Sequence, residues 1–238
     1  TASIYVHLDW HIGHYVKILM DEVFGENNFL NEIIWCYNGP GSPGMKQFNR
    51  KHDTIFWYCK DINDYTFNDN SVRIAHNAKT LENFKRGLVG SGFVSDTYDL
   101  NNSGKIPEDW WQFAVASRYP VDGVRRVEYA TEKPYPLIER IILASSNPND
   151  IVADFFGGSG VLATMAHLNK RKFIHTDINI NSIQTTRDRL LAAKAEFDVM
   201  EIKDGVSLYR NPVQTMERLK KLIPGLRNED ALDKFWEG

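Results

Sequence analysis

The chain has 238 residues, 42% of them hydrophobic and 25% charged, which is the make-up of a globular protein with a substantial core. The formal net charge of −3 excludes a polycation, so any contact with nucleic acid must come from a local basic face. No apolar run approaches the roughly 20 residues of a membrane-spanning helix, and no signal-peptide pattern is present, so no membrane partner is expected.

In chain order, Ser3-Ile-Tyr-Val-His-Leu8 is rich in β-branched and aromatic residues and predicts a strand. Asp9 is placed to cap a following helix, on which Ile12, Tyr15, Val16, Leu19, Met20 and Val23 share one face before Gly25 ends it. Asn31 to Tyr37 and His52 to Lys60 predict two further strands, able to pair as an antiparallel ribbon across the loop Gly39-Pro-Gly-Ser-Pro-Gly44. Their cysteines, Cys36 and Cys59, lie in apolar runs and suit buried thiols of a reducing cytoplasm better than a disulfide. From about 61 to 130 the periodicity weakens, and the segment reads as an inserted, loop-rich module rather than part of a regular sheet. Trp110 and Trp111 in it suit packing onto a core better than base stacking. Regular structure resumes with a helix starting at Pro134 and lined by Leu137, Ile141 and Ala144. A strand at Ile151 to Ala153, a helix through Val161, Leu162, Met165 and Ala166, and a strand Lys172 to Asp177 follow. A helix from about 181 to 195, a strand Phe197 to Ile202 and a helix opened by Pro212 complete the reading.

The stretch Ala153-Asp-Phe-Phe-Gly-Gly-Ser-Gly160 carries the most chemistry. A strand enters a glycine turn and a helix leaves it, the corner at which open α/β sheets hold nucleotide-like ligands. Asp177 closes the next strand, placed to accept hydrogen bonds from a ribose diol. The turn is neither Gly-x-Gly-x-x-Gly nor a P-loop, which disfavours a phosphate cradle and a nicotinamide-dependent oxidoreductase. Phe156, just before the glycines, suits an adenine or a methionyl group. His7, His11 and His14 lack the converging partners that zinc requires, and no metal is expected.

These motifs resemble the S-adenosylmethionine-dependent amino-group DNA methyltransferases, which act on adenine N6 or cytosine N4. The likeness is to the permuted class that includes modification subunits of type III restriction-modification systems. Val152-Ala-Asp-Phe-Phe-Gly-Gly-Ser-Gly160 is similar to that family's cofactor motif, Asp-Pro-Phe-x-Gly-Ser-Gly-Thr-Thr, with Phe155 for the proline and Val161 and Leu162 for the threonines. Thr131-Glu-Lys-Pro134 resembles its Thr-x-Lys-Pro segment. Tyr5-Val-His-Leu-Asp9, Asp21-Glu-Val-Phe-Gly25, Asn31-Glu-Ile-Ile-Trp35 and Lys51-His-Asp-Thr-Ile55 follow the family's order.

The resemblance implies an α/β fold: a Rossmann-like methyltransferase sheet, mostly parallel with an antiparallel hairpin, plus an inserted target-recognition module. Residues 1–60 would form the catalytic-side half, 61–130 the target-recognition insert and 131–238 the cofactor-binding half. S-adenosylmethionine would be held by Asp154, Phe156, Gly157, Gly158, Ser159, Gly160 and Asp177, with Thr131 and Lys133 at the rim. Double-stranded DNA would meet Lys46, Arg50, Lys79, Lys85, Arg86, Arg118, Arg125 and Arg126. A homodimer and a restriction subunit are further partners that it raises. The family's catalytic tetrapeptide, Asp/Asn-Pro-Pro-Tyr/Phe, occurs nowhere in the sequence and is expected upstream of Thr1. The alternative is a relative that binds DNA or cofactor without catalysis.

Overall fold

The computed structural model describes residues 2–39, 44–85, 100–116 and 132–202. Thr1–Ala195 forms one compact unit and Glu196–Gly238 a second. The first contains a four-stranded sheet of order β1-β3-β2-β4, built from β1 (Ser3–Leu8), β2 (Phe29–Cys36), β3 (His52–Cys59) and β4 (Trp110–Gln112). Strand β3 runs antiparallel to both β1 and β2, while β4 adds to β2 in parallel. The predicted ribbon of the second and third strands is therefore present. The short β4 departs from the reading of 61–130 as a module outside the sheet: Trp111 is buried, and its indole N–H donates to the Glu108 carbonyl.

Alternation along the strands gives this sheet two apolar faces. Ile33, Trp35, Ile55 and Trp57 point one way and pack with Trp111 and Leu137. Phe56 and Tyr58 point the other way, onto Met20 and Val16 of helix α1 (Gly13–Phe24). The Tyr58 hydroxyl donates to Asp21 Oδ1 at 2.6 Å, and Lys17 Nζ donates to the same carboxylate, pinning α1 to the sheet. Only Val16 and Met20 of the predicted stripe face inward. Ile12, Tyr15, Leu19 and Val23 are exposed, because the helix docks through the neighbouring Gly13–Val16–Met20 edge. Asp9 does not cap α1 with its side chain; it accepts from the backbone and ring N–H groups of His11 instead.

Between the sheet and the second half lies α4 (Tyr135–Ser145), begun at Pro134 as predicted. Its Leu137 and Ile141 join the first sheet's core, whereas Ile142 and Ile138 pack with Val161, Met165 and Ala166 of α5 (Val161–Leu168). One helix thus serves two cores. Its far end is fastened to both halves: Tyr5 Oη and Ser145 Oγ lie 2.6 Å apart, Asn68 donates to the Leu143 and Ser146 carbonyls, and Arg171 donates to Ser146 O at 2.6 Å. The short helices α2 (Asp69–Val72) and α3 (Ala78–Lys85) precede β4 in the chain.

The second sheet is the parallel pair β5 (Ile151–Asp154) and β6 (Lys172–His175), joined through α5 and followed by α6 (Ile180–Ala192). Val152 and Phe173 face α5, while Ile151 and Ile174 on the opposite side are exposed. The predicted strand Phe197 to Ile202 does not form. Those residues pair with no strand among the described residues, and Val199, Met200 and Ile202 are exposed, so alternating apolar residues there stay irregular. The helix expected after Pro212 lies outside the described residues. No helix among the described residues is long and apolar enough to cross a membrane, and both cysteines are free thiols, Cys59 buried and Cys36 partly so.

Candidate functional site

The glycine corner is built by its own backbone before any ligand is considered. At the end of β5 the Asp154 carboxylate accepts the Phe156 N–H at 3.0 Å, turning the chain sharply. Gly157 N–H donates to the Thr176 carbonyl, Gly160 N–H to the Gly157 carbonyl, and Gly160 then opens α5. Gly158 and Gly160 have φ of +50° and +75°, where side chains are strained. Gly157 is constrained differently: a Cβ there would lie 2.0 Å from His175 Nδ1. Its glycine makes room for the imidazole behind the turn. Gly157→Ala should therefore cost about 1–2 kcal/mol of stability by overpacking, read as a lowered denaturation midpoint at unchanged m-value.

Asp177 braces the same turn. Oδ2 accepts the Gly158 N–H at 2.9 Å and Oδ1 accepts the Asn179 N–H at 2.8 Å. Partial burial by itself would raise the carboxyl's pKa. The backbone donors of Asn179 and Gly158, with the Ser182 hydroxyl, outweigh it and hold the group below the ordinary aspartate range. Behind the turn, His175 Nε2 sits 3.1 Å from Thr186 Oγ1, and burial pushes the imidazole's pKa down, so the ring is neutral at pH 7. In front, Phe156 is 91% exposed, an aromatic face presented to solvent beside a rigid backbone turn. Ser159 is buried, and Val161, which stands where the resemblance expects threonine, fills the core under α4.

A second constellation, which sequence spacing does not reveal, lies where β1 and β2 end. His7 Nε2 is 3.0 Å from Asp53 Oδ2, and Tyr37 donates to Asp53 Oδ1 at 3.3 Å. The three residues come from adjacent strands on one face of the sheet, with the Trp35 ring 5.8 Å from His7. Lys133, just before α4, is within electrostatic reach of both Asp53 and Asp154; burial pushes its pKa down and the two carboxylates oppose that shift.

Of the residues expected to hold a cofactor, Asp154, Phe156, Gly157, Gly158, Ser159, Gly160 and Asp177 come together at the corner, with Lys133 tied to it electrostatically. Thr131 lies outside the described residues. Among those expected to meet DNA, Lys46 and Lys79 are exposed, and the Arg50 guanidinium lies 3.9 Å over the half-exposed Trp10 ring. Arg86, Arg118, Arg125, Arg126 and the Lys85 side chain are outside the described part. No group of three or more His, Cys, Asp or Glu residues among the described ones is arranged to hold a metal ion. His7 and His11 are instead engaged by Asp53 and Asp9.

A family model described as DNA methylase, of the N6/N4 type, matches residues 1–188 and so takes in both constellations. The chain belongs to the DNA methylase family. DNA adenine methyltransferase YhdJ of Escherichia coli is 34% identical over 196 residues, 82% of this chain and 63% of its own length. Type II methyltransferase M1.MboII of Moraxella bovis is 33% identical over 155 residues, covering 63% of this chain and 58% of its own. The methylase chain thus spans about three fifths of these relatives. Solved structures share its Rossmann-like fold. The M1.HpyAVI–SAM complex superposes with a TM-score of 0.52 at 20% identity, over 79% of this chain and 74% of that one. The cytosine-N4-specific PvuII DNA methyltransferase superposes with a TM-score of 0.55 at 15% identity, over 88% and 69%.

Proposed function

We propose that the chain forms most of an enzyme transferring a methyl group from S-adenosylmethionine to an exocyclic amine of a base flipped out of double-stranded DNA, with adenine N6 as acceptor. The observation that carries this reading is the corner itself, inside a DNA methylase match that runs through both halves. An unpacked Phe156 ring stands beside a glycine turn that Asp177 locks in place. Adenine as acceptor is supported by the 34% identity to a protein named DNA adenine methyltransferase.

The corner's residues suit an adenosyl sulfonium. Asp177 uses one lone pair of each oxygen on a backbone amide and meets the Ser182 hydroxyl as well, and a carboxylate offers about four acceptor sites, so a ribose hydroxyl can still be bound. Phe156 offers a flat apolar face for the adenine. When bound, S-adenosylmethionine supplies the electrophilic methyl. The protein's part is to hold the extruded base in line with it, because the amine is a weak nucleophile and positioning carries the rate. The tetrapeptide that polarises the amine, Asp-Pro-Pro-Tyr or a variant, is absent from the sequence and is proposed to lie upstream of Thr1.

Labelled S-adenosylmethionine incubated with mixed-sequence duplex DNA, followed by nucleoside digestion, tests the reading. N6-methyladenine is the expected product; N4-methylcytosine would reassign the acceptor. Cofactor binding without label in DNA would favour a non-catalytic relative.

Duplex DNA is the proposed partner in the cytoplasm, with Lys46, Arg50, Lys79, Lys85, Arg86, Arg118, Arg125 and Arg126 meeting phosphates or base edges. A homodimer and a restriction subunit are further proposed partners. Lys46→Ala and Lys79→Ala should each flatten the slope of log affinity against log salt by about 0.9. Fluorescence anisotropy across a salt series measures this, and unchanged slopes would remove both residues from the interface.

A further inference from the structure

The geometry points to His7, oriented by Asp53, as the group that takes the proton released when the acceptor amine is methylated. This rests on the methyl-transfer reading above and adds a residue that the glycine corner does not supply.

The placement comes first. β1 and β2 run parallel to each other, each paired with the antiparallel β3, and His7, Asp53 and Tyr37 gather where those two strands end. The carboxyl ends of strands are where open α/β sheets hold their ligands. Lys133 is within electrostatic reach of both Asp53 and Asp154, which puts this cluster in the neighbourhood of the glycine corner, where the methyl donor is proposed to sit.

Orientation comes next. Asp53 is acceptor-only as a carboxylate. With Oδ1 receiving the Tyr37 hydroxyl, Oδ2 selects the imidazole tautomer that carries its proton on Nε2. Nδ1 then keeps a bare lone pair, and no hydrogen bond to it forms among the described residues. The His7 side chain is 30% exposed and that of Asp53 21%, so the ring is held yet open on one side. The charged and titratable groups around His7 are Lys133, Asp53, Asp9 and, through Asp53, Tyr37. Burial and the Lys133 charge pull its pKa down, while Asp53 and Asp9 pull it up, leaving a net lowering and a neutral ring at pH 7.

The step balances. The amine lone pair forms the N–CH3 bond as the S–CH3 bond breaks, and that pair of electrons stays on sulfur. In the same transition state one N–H proton passes from the amine nitrogen to His7 Nδ1, giving an imidazolium facing the Asp53 carboxylate and a neutral methylamine. The proton then leaves to solvent by the open side of the ring.

Single-turnover methyl transfer is measured between pH 5 and 8.5 at saturating S-adenosylmethionine and duplex DNA, for wild type, His7→Gln and Asp53→Asn. Wild type should slow as pH falls through the His7 pKa, because a protonated ring cannot accept. His7→Gln should be slower by about 10²-fold at pH 7 and lose that acidic limb, with cofactor affinity by calorimetry unchanged. Asp53→Asn should shift the limb to lower pH, since the carboxylate that raises the His7 pKa is gone, and should slow the reaction less. A ligand-free readout accompanies these: imidazole 15N shifts should show Nε2 protonated and Nδ1 bare at pH 7.

A His7→Gln variant as fast as wild type at every pH would overturn the proposal, as would a doubly protonated His7 ring at pH 7. A wild-type protein that transfers no methyl group would overturn the underlying reading, and this proposal with it. Wild-type activity tells the two failures apart.

Discussion

Glu132→Gln should lower the stability of the folded chain by about 3–5 kcal/mol, the range for removing one partner of a buried ion pair. Glu132 accepts from Arg189 Nη2, and the two side chains are only 4% and 7% exposed. The rest of the guanidinium is poorly served: Nε and Nη1 find no hydrogen-bond partner among the described residues, and the Tyr135 ring lies 5.6 Å from Cζ. The carboxylate therefore supplies the principal compensation for a buried positive charge, and an amide in its place offers only a dipole. Glu132 adjoins Lys133 and Pro134, so the pair also fixes how the chain enters α4 from the side of α6. Denaturant unfolding should show a large fall in midpoint for Glu132→Gln. The double variant Glu132→Leu/Arg189→Met should recover most of the loss, because it removes the stranded charge as well. A single variant within 1 kcal/mol of wild type would mean that solvent reaches Arg189 after all.

The contrast between this pair and the glycine corner explains what could be read from the chain alone. The corner is local. A strand, a turn that only glycine tolerates, and an acid at the end of the following strand leave a fixed spacing, and Gly158 and Asp177 do meet across 19 residues. Strands β1 to β3 were legible because β-branched and aromatic side chains alternate between two buried faces. Contacts between distant segments leave no such trace. His7 and Asp53 are 46 residues apart and Glu132 and Arg189 are 57 apart, joined only by the way strands and helices pack. The reason for glycine at 157 was likewise hidden, since it belongs to His175 on the neighbouring strand.

Two misreadings have the same root. Strand β4 is only Trp110–Gln112, too short for a period to show, and it exists because β2 offers a free edge. The stretch from Phe197 to Ile202 has a strand's composition but no partner among the described residues, and composition alone does not order a backbone. On α1 the periodicity located the helix correctly, yet docking rotated it by about one position, leaving four of the six residues of the apolar stripe in solvent.

Asp177→Ala should weaken S-adenosylmethionine binding by about 1–3 kcal/mol, or roughly 5- to 150-fold, the worth of hydrogen bonds to a charged acceptor. The loss has two sources in this structure. The carboxylate would no longer receive a ribose hydroxyl, and the Gly158 and Asn179 amides that it holds at 2.9 and 2.8 Å would be released, loosening the turn. Asp177→Asn separates them: its carbonyl oxygen can keep one amide while the charge is lost, so its affinity should fall between wild type and alanine. The carboxyl also gives a pH test with a definite sign. Its folded-state pKa is held below that of an unfolded aspartate, so its stabilisation is complete above the unfolded value and disappears as pH falls through the folded one. Wild type should therefore lose stability in acid faster than Asp177→Ala, and the gap between the two should narrow below the ordinary aspartate range. Titration calorimetry at pH 7 and denaturant unfolding across an acid series measure both effects. Equal cofactor affinity in wild type and Asp177→Ala would leave the carboxylate as a brace for the turn alone, and would move the ribose contact elsewhere on the corner.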